Sequence, residues 1–154
     1  MLPDLVLTDK QLQAFKEDGF VVVRKLFSLE QMSNISDWSN EMLARPEEPG
    51  QHWVYHEKSL KKDGEDLISR IEYISPFHDG FRNLVEALRA PAGQLFGEEA
   101  VLFKEKINFK MPGGDGFKPH QDSQAGWDVY TNFYINILVS IDPATIENGC
   151  LELC

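Results

Sequence analysis

Cysteine is scarce in this 154-residue chain, which has two, Cys150 and Cys154. On an extended segment four residues span ~13 Å, too far for a disulfide without an intervening turn. No disulfide framework is therefore expected, and a reducing, cytoplasmic setting fits best. Histidine is also rare, with four residues, and none follows His120. No apolar run approaches the ~18 residues of a membrane span. The start of the chain, MLPDLVLTDKQ, lacks the basic residues and apolar core of a signal peptide. Basic residues are outnumbered, with 15 Lys and Arg against 25 Asp and Glu and a net charge of −10. That balance argues against nucleic acid or an anionic membrane as a partner, since either needs a basic face. Internal repeats and low-complexity segments are missing too.

What is present reads as one domain over residues 1–154, 42% hydrophobic and 26% charged. Residues 1–97 form a helical and mixed part. Thr8 with Gln11 has capping-box spacing and starts a short helix that Gly19 stops. Phe20 to Val23 reads as a buried strand. Ser28 caps a second helix, with Met32, Ile35, Trp38 and Met42 at helical spacing, ending at Arg45-Pro46. Residues 52–56 and 67–74 read as strands joined by a polar loop. A third helix is expected over 80–89, with Pro91 and Gly97 punctuating its exit.

Residues 98–154 change character. In 100–110, Val101, Phe103, Ile107 and Phe109 alternate with Lys104, Lys106 and Asn108, and Glu105 interrupts the apolar side. In 132–142, Phe133, Ile135, Ile137, Val139 and Ile141 share one face, and Asn136 lies on the other. CLELC at 150–154 begins a further strand. Helices followed by alternating strands suggest an α+β or mainly β sandwich or small barrel with helices packed outside. A strand face bearing Lys and Asn suits a barrel whose interior is a functional pocket.

His120-Gln121-Asp122 sits after the loop Met111–Gly116, between two alternating segments. On an extended chain an imidazole and a carboxylate two residues apart point the same way. They are two of the three ligands of the two-histidine, one-carboxylate triad that holds non-haem Fe(II) with open positions. A second histidine would have to come later, and none follows. Taken alone, His-x-Asp also describes an exposed loop pair. The glycines of MPGGDG make an ordinary hairpin loop, because the Walker lysine and a following helix are missing. Lys104 and Lys106 are ordinarily solvated strand lysines; the alternative is an inward cation for an anionic co-substrate. His52, His56 and His78 lack partners at ligand spacing and read as structural or surface residues. Trp53, Tyr55 and Trp127 read as core or lid residues, and Cys150 and Cys154 as buried thiols.

Three segments carry a family likeness: FKEDGFVVVRKLFS, LFKEKINFKMPGGDGFKPHQD and IENGCLEL. In order and in register, they resemble the phytanoyl-CoA dioxygenase family of Fe(II)/2-oxoglutarate-dependent oxygenases. The resemblance implies a double-stranded β-helix, a jelly-roll or cupin-like barrel, with residues 98–154 as its first strands. It implies that His120 and Asp122 are catalytic iron ligands and that Lys104 and Asn108 bind 2-oxoglutarate, with Asn136 a weaker candidate. It implies O₂ as oxidant, release of succinate and CO₂, and hydroxylation of a C–H bond in a small-molecule substrate. Relatives act on acyl-CoA thioesters, osmolytes, organophosphonates and secondary metabolites. The family's distal histidine and arginine would lie beyond Cys154, so the barrel is expected to be truncated. The alternative is a non-catalytic remnant or a cupin-like metabolite-binding module. Nothing in the sequence specifies an oligomeric state.

Overall fold

The computed structural model describes Leu2 and residues 5–153, so the Cys154 thiol lies outside it. Both N-terminal helices start on reciprocal caps. Helix α1 (Asp9–Asp18) has Thr8 accepting from the Gln11 amide while the Gln11 side chain takes the Thr8 amide. It stops at Gly19, whose φ of 78° is the left-handed conformation that a side chain resists. Helix α2 (Leu29–Ala44) repeats the box with Ser28 and Gln31. It ends where Pro46 disfavours helical geometry for Arg45. Its apolar stripe buries Ile35 and Met42 completely.

Strands β1 (Trp53–Lys58) and β2 (Asp66–Glu72) form a hairpin with an irregularity between Tyr55 and His56. Strand β3 (Lys106–Asn108) adds antiparallel to the other side of β2, giving the order β1-β2-β3. Ile71 of β2 lies opposite Val54 on one side and Ile107 on the other. This row packs onto Ile35, Met42, Ile74, Phe81 and Leu84, which form the core with the helices. After β2 the chain turns at Tyr73, whose φ of 60° is costly for a residue with a Cβ. The turn brings the Ile74 and Ser75 amides to Glu105, whose Oε1 accepts both at 2.7 and 2.6 Å. The acid that interrupts the apolar side of its segment is therefore an anchor for the chain after β2.

Helix α3 (Asp79–Phe96) has 18 residues, nearly twice the expected length, and runs through Pro91. Proline removes one helical N–H bond, and packing offsets the loss. Pro91 and Ala92 are buried, the Gly93 Cα sits closely under the Glu98 carbonyl, and Gln94 bonds both backbone groups of Leu7. Gly97 ends the helix as expected, at φ 77°. His78 caps the start: its Nδ1 accepts from the Gly80 and Phe81 amides, and Nε2 faces Glu41 at 3.1 Å. Gly80 is required there, because a Cβ would enter the Trp38 ring.

Four expected strands differ. Residues 20–23, 132–142 and 150–153 carry no ladder, and in 100–110 only Lys106–Asn108 does. In 132–142 Ile135, Val139 and Ile141 are partly covered, while Phe133 and Ile137, expected on the same face, are exposed. A ladder needs a neighbouring backbone to pair with, and no such neighbour lies beside them among the described residues. What the structure shows is thus an α+β arrangement around a small antiparallel sheet. No described helix is long and apolar enough to cross a membrane. Cys150 is free and half-buried.

His52 is 4% exposed, and neither ring nitrogen has a partner among the described residues. Burial first, and the Arg45 charge second, hold its pKa below the ordinary 6.5, against an opposing pull from Glu47 and Glu48. The unfolded chain therefore binds this proton more readily than the folded one. The contribution is complete above pH 6.5 and is lost as pH falls below it toward the lowered folded value. Between about pH 7.5 and about pH 5.5 the urea midpoint is expected to fall, and to fall less in His52→Phe. Equal falls in the two proteins would exclude His52 as the source. In the core, Ile71→Ala is expected to cost about 2–5 kcal/mol in urea unfolding.

Candidate active site

Because side chains alternate along a strand, turning Ile71, Val54 and Ile107 inward turns their neighbours outward. Trp53 and Tyr55 of β1, Arg70 and Glu72 of β2, and Lys106 and Asn108 of β3 share the sheet's other face. Arg70 is directly opposite Asn108, and Glu72 opposite Lys106. Glu72 is nonetheless buried, its side chain only 9% exposed. Arg70 Nε lies 2.9 Å and Lys104 Nζ 3.5 Å from its Oε1. The Arg70 guanidinium also stacks 4.1 Å over the Tyr55 ring, and Lys104 Nζ sits 4.9 Å from the Trp127 ring centroid. Lys106 forms no ion pair among the described residues. Its pKa is lowered from 10.5 by burial, then by the charges of Lys104 and Arg70, with Glu72 and Asp122 opposing.

His120 and Asp122 come together by a different route from the extended chain that their spacing suggests. The chain bends at Asp122 into a single 3₁₀ turn, Asp122–Ala125. The turn sets His120 Nε2 3.6 Å from Asp122 Oδ1. His120 Nδ1 is 2.6 Å from the Lys118 carbonyl oxygen. A carbonyl only accepts, so Nδ1 carries a hydrogen and Nε2 is the nitrogen facing the carboxylate; in the neutral ring it presents a lone pair there. Two acceptors so placed repel unless a proton or a metal cation lies between them. The Asn136 amide donates to the other carboxylate oxygen, Oδ2.

The five residues singled out from the sequence are thus distributed as follows. His120, Asp122 and Asn136 form one cluster, in which Asn136 is hydrogen-bonded to Asp122 and His120 faces the same carboxylate at 3.6 Å. Lys104 sits on Glu72, and Asn108 is exposed on the open sheet face. Asp122 is near enough to act on Lys106, which links the cluster to that face. The sequence reading missed Arg70 and Glu72. Their signal was two charges flanking an isoleucine in the otherwise apolar strand LISRIEYI. The remaining histidines lie in other parts of the fold: His56 pairs with Glu47 at 2.7 Å, His78 caps α3, and His52 is buried. Among the described residues, no three His, Cys, Asp or Glu side chains are grouped to hold a metal ion.

The phytanoyl-CoA dioxygenase (PhyH) family pattern matches residues 15–154. The chain belongs to that family. It is 38% identical over 148 residues to the 2-aminoethylphosphonate dioxygenase of an uncultured bacterium, HF130_AEPn_1. That match covers 95% of this chain and 56% of the relative. It is 37% identical over 147 residues to the methylphosphonate hydroxylase of Gimesia maris, covering 94% of the chain and 55% of the relative. It is also 31% identical over 123 residues to dioxygenase lolE1 of Epichloe uncinata, covering 79% and 46%. The chain therefore spans about half the length of these PhyH relatives. No solved structure matches it.

Glu72 separates two cations in a mostly dry position. Glu72→Gln is expected to destabilise the protein by about 1–3 kcal/mol, less than a fully buried pair because Arg70 and Lys104 remain partly solvated. Urea unfolding of the variant beside Arg70→Gln measures this. A change within error of zero for Glu72→Gln would show that the carboxylate does not hold the two cations.

Proposed function

We propose that this protein is a non-haem Fe(II)/2-oxoglutarate-dependent dioxygenase that hydroxylates a C–H bond of a small molecule. The names of two relatives make short phosphonates the favoured substrates. The observation that carries the reading is the His120–Asp122 geometry. An Nε2 lone pair and a carboxylate oxygen converge, each held from behind, His120 by the Lys118 carbonyl and Asp122 by Asn136. Metal-binding histidines typically donate their other N–H to a carbonyl or carboxylate in this way. The imidazole and carboxylate also suit divalent iron in the two-histidine, one-carboxylate class. In this reading His120 and Asp122 are two of the iron ligands. Asn136 is a positioning residue that fixes the Asp122 carboxylate.

Bound iron with 2-oxoglutarate and O₂ supplies the oxidation, placing one oxygen atom in succinate and the other in the hydroxylated product, with CO₂ released. The chain's own residues would bind and orient. Lys104 would attract a carboxylate of 2-oxoglutarate. Asn108, on the same open face, would donate an amide N–H to it. Trp127 beside Lys104 would keep water from that contact. We also assign residues 98–154 to the first strands of a double-stranded β-helix. The alternation in 100–110 and 132–142 supports this, as does family membership.

The test is an anaerobic titration of the chain with Fe(II) and 2-oxoglutarate, followed by the visible charge-transfer absorption of the chelate. The band is expected in the wild type and absent in His120→Ala. Asn136→Ala is expected to weaken iron binding about tenfold. A wild type without the band would leave a metabolite-binding module instead of an oxygenase. A band that persists in His120→Ala would remove that residue from the site. In turnover assays Asp122→Ala is expected to abolish product formation.

A further inference from the structure

We propose that Lys106, with Arg70 beside it, is the anchor for the anionic head group of the substrate, a phosphonate. The subsite is separate from the one that Lys104 offers to 2-oxoglutarate, and the assignment rests on the oxygenase reading above. Charge is the first argument. The chain is strongly acidic overall, yet the open face of its sheet gathers Arg70, Lys104 and Lys106 around one buried carboxylate, Glu72. Glu72 is already held by Arg70 and Lys104. With iron on Asp122 and 2-oxoglutarate on iron and Lys104, the charges of that group cancel. The Lys106 ammonium is left over. It is partly desolvated, has two cations for neighbours and forms no ion pair among the described residues. Such a group gains most from an arriving anion.

Position is the second argument. Lys104, Lys106 and Asn108 alternate along one segment and so lean to the same face. Lys106 Nζ lies 5.9 Å from the centroid of the Phe117 ring, which is itself 6.3 Å from that of His120. An anion at Lys106 would therefore lie on the side of the sheet that the His120 loop covers. Arg70, diagonal to Lys106 across the β2–β3 pair, places a second cation within reach of another oxygen of the same group.

Ligand chemistry is the third argument. A short phosphonate has little beyond its charged head for a protein to hold. A site that hydroxylates its carbon has to recognise the head next to the metal. A tetrahedral group with three oxygens suits two cations approaching from adjacent strands better than a single ion pair does.

The experiment is oxygen-free calorimetry on the whole chain with Fe(II), titrating 2-oxoglutarate first and then injecting methylphosphonate or inorganic phosphate into the chain saturated with 2-oxoglutarate. Lys106→Met is expected to weaken methylphosphonate at least about tenfold and to leave 2-oxoglutarate within about twofold. Lys104→Met is expected to do the reverse. Lys106→Arg, which keeps the charge, is expected to retain most of the affinity, and circular dichroism checks that each variant is folded. The proposal is overturned if the wild type does not bind methylphosphonate, or if Lys106→Met leaves that binding unchanged. It is also overturned if the loss in Lys106→Met falls on 2-oxoglutarate, or if inorganic phosphate binds at Lys106 and methylphosphonate does not. The charge-transfer band is read on the same samples. A band with phosphonate binding indifferent to Lys106 removes the subsite alone; no band removes the oxygenase reading itself.

Discussion

The burial of Ile71 between Val54 and Ile107 is the constraint on which the rest depends. One fully buried isoleucine contributes roughly 1.5–3 kcal/mol, and this one also fixes the direction of every neighbouring side chain. With Ile71 inward on the helices, Arg70 and Glu72 have to face outward. With Ile107 inward, Lys106 and Asn108 have to face the same way. The charged face is a geometric by-product of the core. It follows that the helices, which hold no candidate site residue, decide where the cations of the site stand.

The His120–Asp122 pair is organised differently. No core holds it, and both side chains are partly open to solvent. What orders it is a set of local hydrogen bonds, from the ring to the Lys118 carbonyl and from Asn136 to the carboxylate. Each bond fixes one atom and leaves the other free, and the two free atoms face each other. The sheet thus supplies fixed positive charge, and the loops supply two free electron-pair donors. The proposed oxygenase site would need both.

Local signals carried most of what the sequence revealed. The capping box at Thr8, the cap at Ser28, the stop at Gly19 and the stripe of α2 are set by residues a few positions apart, and all were legible. So was the β1–β2 hairpin. Distant contacts decided the rest. Pro91 reads as a breaker, and only the packing of Pro91 and Ala92 and the grip of Gln94 on Leu7 show why the helix continues. The alternation in 132–142 gives a face to each residue but cannot provide a second backbone. The residue types at 120 and 122 were legible, while their convergence depends on a turn that spacing does not encode. Arg70 escaped notice because its meaning comes from Asn108 opposite and Lys106 diagonal to it, which lie more than thirty residues away.

Glu105 gives the short third strand its aim. A ladder of three residues is too brief to hold a rigid heading, but the carboxylate beside it is pinned to two amides at the turn after β2. Lys104 and Lys106 flank that pin and project to the opposite side. The carboxylate works as a pivot behind a pair of outstretched arms. Loosening it would touch no charged partner and remove no ligand. Both ammonium groups would still be present, but they would no longer be held side by side on the open face.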